Sequence, residues 1–193
     1  MRFLRKRWKT VLFILILAGF LVVLKDARQD FLSYFQSFNR WIFLESVVVV
    51  VITFALFSIL SKWKSPVFEH KLPWDFSTES MLDFSVWGWL LITLFFLNIP
   101  FVAKMEELIF RGDLFGRGTA GWEEGVWRSI LFGFVHYVFG VHVKTAILIV
   151  FLGLWFTWHY LHGGVPESTL YHATFNFAAL AIWFFSFLGK GNK

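Results

Sequence analysis

Apolar residues run along this chain in long blocks, separated by short polar stretches. A helix that crosses a bilayer needs about 20 mostly apolar residues. Six blocks meet or approach that length: Trp8 to Leu24, Trp41 to Leu60, Val86 to Ala103, Trp127 to Val141, Thr145 to Leu161 and Thr169 to Leu188. The fourth is short for a complete span. Between them lie two segments that mix aromatic and polar residues, Phe31 to Phe38 and Ser61 to Asp83; the second holds Trp63, Trp74 and Phe76 with Pro66 and Pro73. Tryptophan favours headgroup depth, so both read as interfacial. The pattern predicts an all-α, polytopic membrane helix bundle of about six transmembrane helices plus short interfacial segments, forming a single membrane domain.

Composition excludes the soluble alternative. Of 193 residues, 58% are hydrophobic and 22% aromatic, while 16% are charged. A soluble domain carries about 25% charged residues, so this chain cannot coat itself with a solvated surface. The absence of cysteine excludes a disulfide framework, a thiolate zinc site and a cysteine nucleophile. The formal net charge is +5, and Arg2, Arg5, Lys6, Arg7 and Lys9 cluster beside the first apolar block. Such a cluster is a topology signal that places the N-terminus in the cytoplasm, not a nucleic-acid patch. The first block lacks an A-x-A-like cleavage site and runs into Lys25, so it reads as an uncleaved anchor of a multi-pass protein of the cell membrane. With six spans, Lys104, Arg111, Arg117 and Arg128 fall on the outer side, against the positive-inside rule.

Ionisable side chains inside apolar helices cost about 2.5–3.5 kcal/mol each on the insertion scale, which makes them functional candidates. Three clusters stand out. In the first, Glu106 and Glu107 precede Arg111 and Gly112, after Asn98 and Pro100. Pro100 removes a helical donor, which predicts a kink. On a continuing helix Glu107 and Arg111 are one turn apart and can pair, while Glu106 turns toward a different neighbour. Arg111 would then hold Glu107 ionised and leave Glu106 free to titrate. The second cluster is Phe132 with His136, the third His172 with Asn176, each again four residues apart. Taken singly, each has a plain structural reading: a surface ion pair, a satisfied core histidine, and polar glue between helices. His159 and His162, before Gly163-Gly164, read as an interfacial helix end more than as a metal pair, and loss of His159 or of His142 is expected to be tolerated. Glu45 reads as a snorkelling residue near one end of the second block, and Glu167 as a first-turn residue after Pro166.

The three clusters in this order resemble the CPBP family of intramembrane proteases, the CAAX-processing and bacteriocin-processing type. That family's pattern is EExxxR, FxxxH and HxxxN or HxxxD, and it often extends to EExxFRG, which Phe110 and Gly112 match here. The resemblance covers about Ile99 to Leu180 and is silent on residues 1–85. It implies that 86–193 is a protease core preceded by N-terminal helices and an interfacial loop in 1–85. It also implies an endopeptidase of glutamic type, without cofactor or metal, acting on a membrane-associated protein, a lipidated protein or a peptide. Its catalytic residues would be Glu106, Glu107, Arg111, His136, His172 and Asn176. Glu106 with His136 would activate a water, and His172 with Asn176 would hydrogen-bond the oxyanion. Two alternatives stay open: a zinc protease with Glu106, His136 and His172 as ligands, and a non-catalytic scaffold or immunity protein of the same fold.

Overall fold

The structure, a computed structural model, describes residues 24–62, 86–112 and 121–190, with side chains placed for most of them. The described residues form five helices and no strands: α1 (Leu24–Ser37), α2 (Arg40–Ser61), α3 (Val86–Phe110), α4 (Trp122–Val138) and α5 (Val143–Lys190). The anchor read at Trp8 to Leu24 and nearly all of the segment Ser61 to Asp83 lie outside the described residues.

Local chemistry accounts for the helix ends. Asn39 caps α2, its side-chain oxygen accepting from the backbone N–H groups of Trp41 (2.9 Å) and Ile42 (3.1 Å). Glu123 and Glu124 occupy the first turn of α4, where the helix dipole favours negative charge. The third apolar block was expected to end near Ala103, but α3 continues through Pro100 to Phe110. The extra turns carry Glu106 and Glu107, whose partners on other helices compensate for the polar groups. At its end, the Glu107 carbonyl accepts from both Arg111 (2.8 Å) and Gly112 (2.9 Å), and the Arg128 guanidinium reaches the Phe110 and Gly112 carbonyls.

The fifth and sixth blocks form α5, which breaks at Gly164 (φ 68°, ψ −162°). Phe156 and His172 are sixteen residues apart, a separation of about 24 Å in a straight helix, yet their rings stack with centroids 4.2 Å apart. The chain therefore folds back at Gly164, giving an antiparallel pair, α5a (143–163) and α5b (165–190). A positive φ with this ψ is open only to glycine. Gly163 is equally constrained, because a Cβ there would overlap Glu167.

The α5 hairpin is the hub: α2, α3 and α4 all pack on it, while α1 packs on α3. One apolar cluster joins Val50, Phe110, Phe132, Leu152, Phe156 and Phe175. A second joins Tyr34, Ile99, Ala103 and Ala173, beside the 2.9 Å hydrogen bond between the Tyr34 hydroxyl and Thr174 Oγ1. Helices α4 and α5a meet through small residues; a Cβ on Gly125 would overlap Thr157, and one on Gly153 would lie 2.9 Å from Ser129 Cβ.

The outer surface is apolar. Along α2, Trp41, Val48 and Ile59 are 65%, 56% and 64% exposed, an arrangement suited to lipid and not to water. Among the described residues, two stretches are long and apolar enough to cross a membrane, Arg40–Ser61 and Val143–Ile182, where the sequence pattern offered six. The second contains the reversal at Gly164.

The break yields a prediction. Gly164→Ala forces a side chain into a glycine-only conformation, at about 1–3 kcal/mol. Thermal or SDS titration of the protein in detergent should show a lower unfolding midpoint; an unchanged midpoint would mean that the turn tolerates ordinary backbone geometry.

Candidate active site

The site is assembled where α3, α4 and both arms of α5 meet. Glu107 and Arg111 lie at the C-terminal end of α3, both with side chains fully buried, and Arg111 Nη1 donates to Glu107 Oε1 at 2.9 Å. A charge pair removed from water survives only when its remaining donors and acceptors are also satisfied. Arg111 meets that requirement, whereas on Glu107 it is Oε1 that takes the hydrogen bonds and the buried Oε2 has no hydrogen-bond partner among the described residues. Arg111 Nη2 donates to the Gly153 carbonyl at 2.8 Å and Arg111 Nε to Thr157 Oγ1 at 3.2 Å, both on α5a. The guanidinium carbon also lies 5.4 Å from the centre of the Phe132 ring and 5.6 Å from that of Phe156.

The same Glu107 oxygen accepts from His172 Nδ1 of α5b at 2.8 Å. This hydrogen bond fixes the imidazole, because a carboxylate can only accept, so Nδ1 carries a proton. The other nitrogen, Nε2, lies 3.3 Å from Glu106 Oε2. His172 is 3% exposed; it stacks flat on Phe156 and presents an edge to Phe132, centroids 5.8 Å apart.

Glu106 faces elsewhere. Its side chain is 28% exposed against 0% for Glu107, the consequence of the roughly 100° turn between successive helical residues. It lines a cleft of about 480 Å³ together with His136 and Arg128 on α4. The remaining walls are mainly apolar: Ile109, Phe110, Leu131, Val135 and Phe139. His136 Nδ1 donates to the Phe132 carbonyl one turn earlier at 2.8 Å, so Nε2 is the nitrogen left for chemistry in the cleft. Arg128 pairs with Glu124 through both Nε and Nη2. Asn176 is partly buried one turn beyond His172 on α5b and is not among the residues lining this cleft.

Of the six residues singled out in the sequence, Glu106, Glu107, Arg111 and His172 thus form one contiguous network. His136 joins it through the shared cleft, and Asn176 lies one turn from His172 without lining that cleft. Both ring nitrogens of His172 face carboxylates, and no group of three or more His, Asp or Glu poised to hold a metal ion occurs among the described residues.

A second polar cluster escaped the sequence reading. His159, expected at an interfacial helix end, is 5% exposed. Its Nε2 lies 3.0 Å from Glu45 of α2 and its Nδ1 3.1 Å from Glu167 of α5b. The ring stacks on Tyr171 with centroids 3.4 Å apart, and Trp155 Nε1 donates to Glu45 at 3.1 Å. Glu45 and Glu167 are therefore partners of a buried histidine and not simply polar helix ends. Residue spacing carried little sign of this, since Glu45 lies 114 positions from His159. The one local clue was the Gly163-Gly164 turn, which returns Glu167 to the preceding helix.

Two predictions follow from these contacts. His159→Ala, expected from the sequence to be tolerated, should instead lower the unfolding free energy by about 1–3 kcal/mol through the loss of its contacts with Glu45 and Glu167, measured by SDS titration. Arg111→Lys should be more damaging still. An ammonium cannot reproduce the planar fork that reaches Glu107, Gly153 and Thr157 together, and the yield of folded protein in detergent should fall below that of His159→Ala.

Comparison with known proteins agrees with the motif. Residues 85–178 match the family model described as Type II CAAX prenyl endopeptidase Rce1-like. No curated protein and no solved structure gives a significant match.

Proposed function

The chain belongs to the CPBP family, and we propose that it is an active glutamic-type intramembrane endopeptidase with its catalytic water held between Glu106 and His136. The family and the apolar helices make it a membrane protein. In this reading the core is residues 86–193, and the bundle reaches about six spans when α3, α4 and the two arms of α5 are each counted with α2 and the N-terminal block. The protein would sit in the cell membrane with its N-terminus in the cytoplasm. The observation that carries the proposal is the contrast between neighbours: Glu106 opens to a cleft that His136 also lines, while Glu107 is sealed behind it with Arg111 and His172.

The chemistry runs as follows. Water enters the cleft and hydrogen-bonds to Glu106 and to the Nε2 lone pair of His136. Glu106 takes a proton as the water oxygen bonds to the scissile carbonyl carbon, whose π electrons move to oxygen. His172 Nε2–H, presented on the Glu106 side of the ring, stabilises that oxyanion, and the resemblance assigns Asn176 as the second donor. Glu106 then returns its proton to the amide nitrogen, the C–N bond breaks, and the oxyanion collapses to a carboxyl group. Glu107 and Arg111 do not touch the reacting atoms; they orient His172 so that Nε2 and not Nδ1 faces the reaction. The apolar cleft walls suit a lipidated or membrane-associated chain, and the family's description points to prenylated CAAX proteins as the substrate class.

Purified protein in proteoliposomes should release the C-terminal tripeptide from a fluorogenic prenylated CAAX peptide. Glu106→Gln, His136→Ala and His172→Ala should each lower the rate by about 10²–10⁴-fold, the usual contribution of general-base or oxyanion groups. Glu106→Gln keeps the hydrogen bonds and removes the base, so cleavage at the wild-type rate by that variant would eliminate the mechanism.

A further inference from the structure

We infer that Thr157 is a positioning residue of this site, acting through Arg111; the inference rests on the catalytic reading above and adds the residue that sets the guanidinium's orientation. Thr157 is wholly buried and is not among the residues lining the cleft; its hydroxyl also lies 3.3 Å from Ser129 Oγ of α4. Its hydroxyl donates to the Gly153 carbonyl at 2.9 Å, which turns its oxygen lone pairs toward the Nε–H of Arg111 at 3.2 Å. The same Gly153 carbonyl accepts from Nη2 at 2.8 Å. Nε–H and the adjacent Nη2–H form one straight edge of the guanidinium. Thr157 and Gly153, one turn apart on α5a, receive that edge at two points. The remaining nitrogen, Nη1, is thereby directed at Glu107 Oε1.

The threonine is itself held. Its Cγ2 methyl is the atom nearest to where a Cβ on Gly125 of α4 would stand, and any side chain there would overlap it. Lodged against the neighbouring helix, the methyl holds this β-branched side chain at the χ1 setting in which its hydroxyl also bonds the Gly153 carbonyl. That setting delivers the hydroxyl to Arg111. Phe132 and Phe156, at 5.4 and 5.6 Å, leave the guanidinium little freedom to tilt. The chain of command runs from the Gly125–Thr157 contact to Arg111, then to Glu107, and from Glu107 to the ring of His172.

A hydroxyl that merely satisfies its own helix would predict a different outcome on removal, so Thr157→Val and Thr157→Ser decide the matter. Valine keeps the shape and deletes the acceptor; serine keeps the acceptor. On the prenylated CAAX peptide, Thr157→Val should lower kcat by about ten-fold, a change of the size expected for a lost hydrogen bond to a charged group. KM should stay put, the pH profile of kcat should be displaced, and Thr157→Ser should restore both. Leu152→Ala, a cavity in the apolar cluster, serves as control: it should lower the unfolding midpoint without displacing the pH profile. Wild-type kcat and pH profile in Thr157→Val, in a protein that Glu106→Gln inactivates, would overturn the positioning role alone. If the wild-type protein cleaves nothing, the catalytic reading fails, and the ¹⁵N resonance of His172 Nδ1 in detergent-solubilised protein decides the positioning role instead. A resonance that moves in Thr157→Val and returns in Thr157→Ser supports it; one that is the same in all three proteins overturns it.

Discussion

The buried pair between Arg111 and Glu107 is the constraint around which the described bundle is organised. Two charges taken out of water are an unfavourable start, and their mutual attraction rarely offsets the loss of hydration without further hydrogen bonds. Here those bonds come from separate elements. Glu107 receives His172 from α5b, and Arg111 gives its side edge to Gly153 and Thr157 of α5a. Phe132 of α4 and Phe156 of α5a flank the guanidinium. Separating either arm of α5 from α3 would strand a donor or an acceptor in an apolar interior. The polar network thus specifies how the helices meet, while the surrounding apolar packing, which can be satisfied in many registers, supplies bulk attraction.

The same constraint explains what could be read from the chain. Glu107 and Arg111 are one turn apart on one helix, so their pairing was visible as a spacing. The histidine partner was visible as a residue type but not as a geometry, because its position depends on the reversal at Gly164. The Gly163-Gly164 pair and Pro166 marked a break in the apolar pattern, yet nothing local says that the break brings Phe156 onto His172. The cluster of Glu45, His159 and Glu167 was less legible still. Each residue alone resembles ordinary polarity at a helix end, and only the tertiary fold removes His159 from the surface. The apolar run of the third block stops at the first charges, whereas α3 continues to Phe110, as the pairing of Glu107 with Arg111 required, because those charges have partners on neighbouring helices.

Two neighbouring glutamates end up with opposite surroundings, and the helix itself is responsible. A rotation of about 100° per residue carries Glu107 into the dry interior and Glu106 to the cleft wall. The division suits hydrolysis in a membrane, where a permanent charge is useful for orientation but a proton carrier must meet water. A single carboxylate could not do both, since the partners that hold it ionised would occupy the oxygens that a water needs.

The two histidines of the site obey a common rule. His136 commits Nδ1 to the Phe132 carbonyl, and His172 commits Nδ1 to Glu107. In each, the protein uses the nitrogen nearer the backbone to set the tautomer and leaves Nε2, at the far end of the ring, for work. The partners differ in kind, and so do the rings' capacities. A neutral carbonyl leaves His136 with a lone pair on Nε2, suited to accepting a hydrogen bond from water. A carboxylate opposite Nδ1 fixes the ring of His172 with Nε2 turned to the Glu106 side, the placement from which it would donate toward a developing oxyanion. That difference follows from the chemistry of the two acceptors, and it gives each imidazole a distinct task.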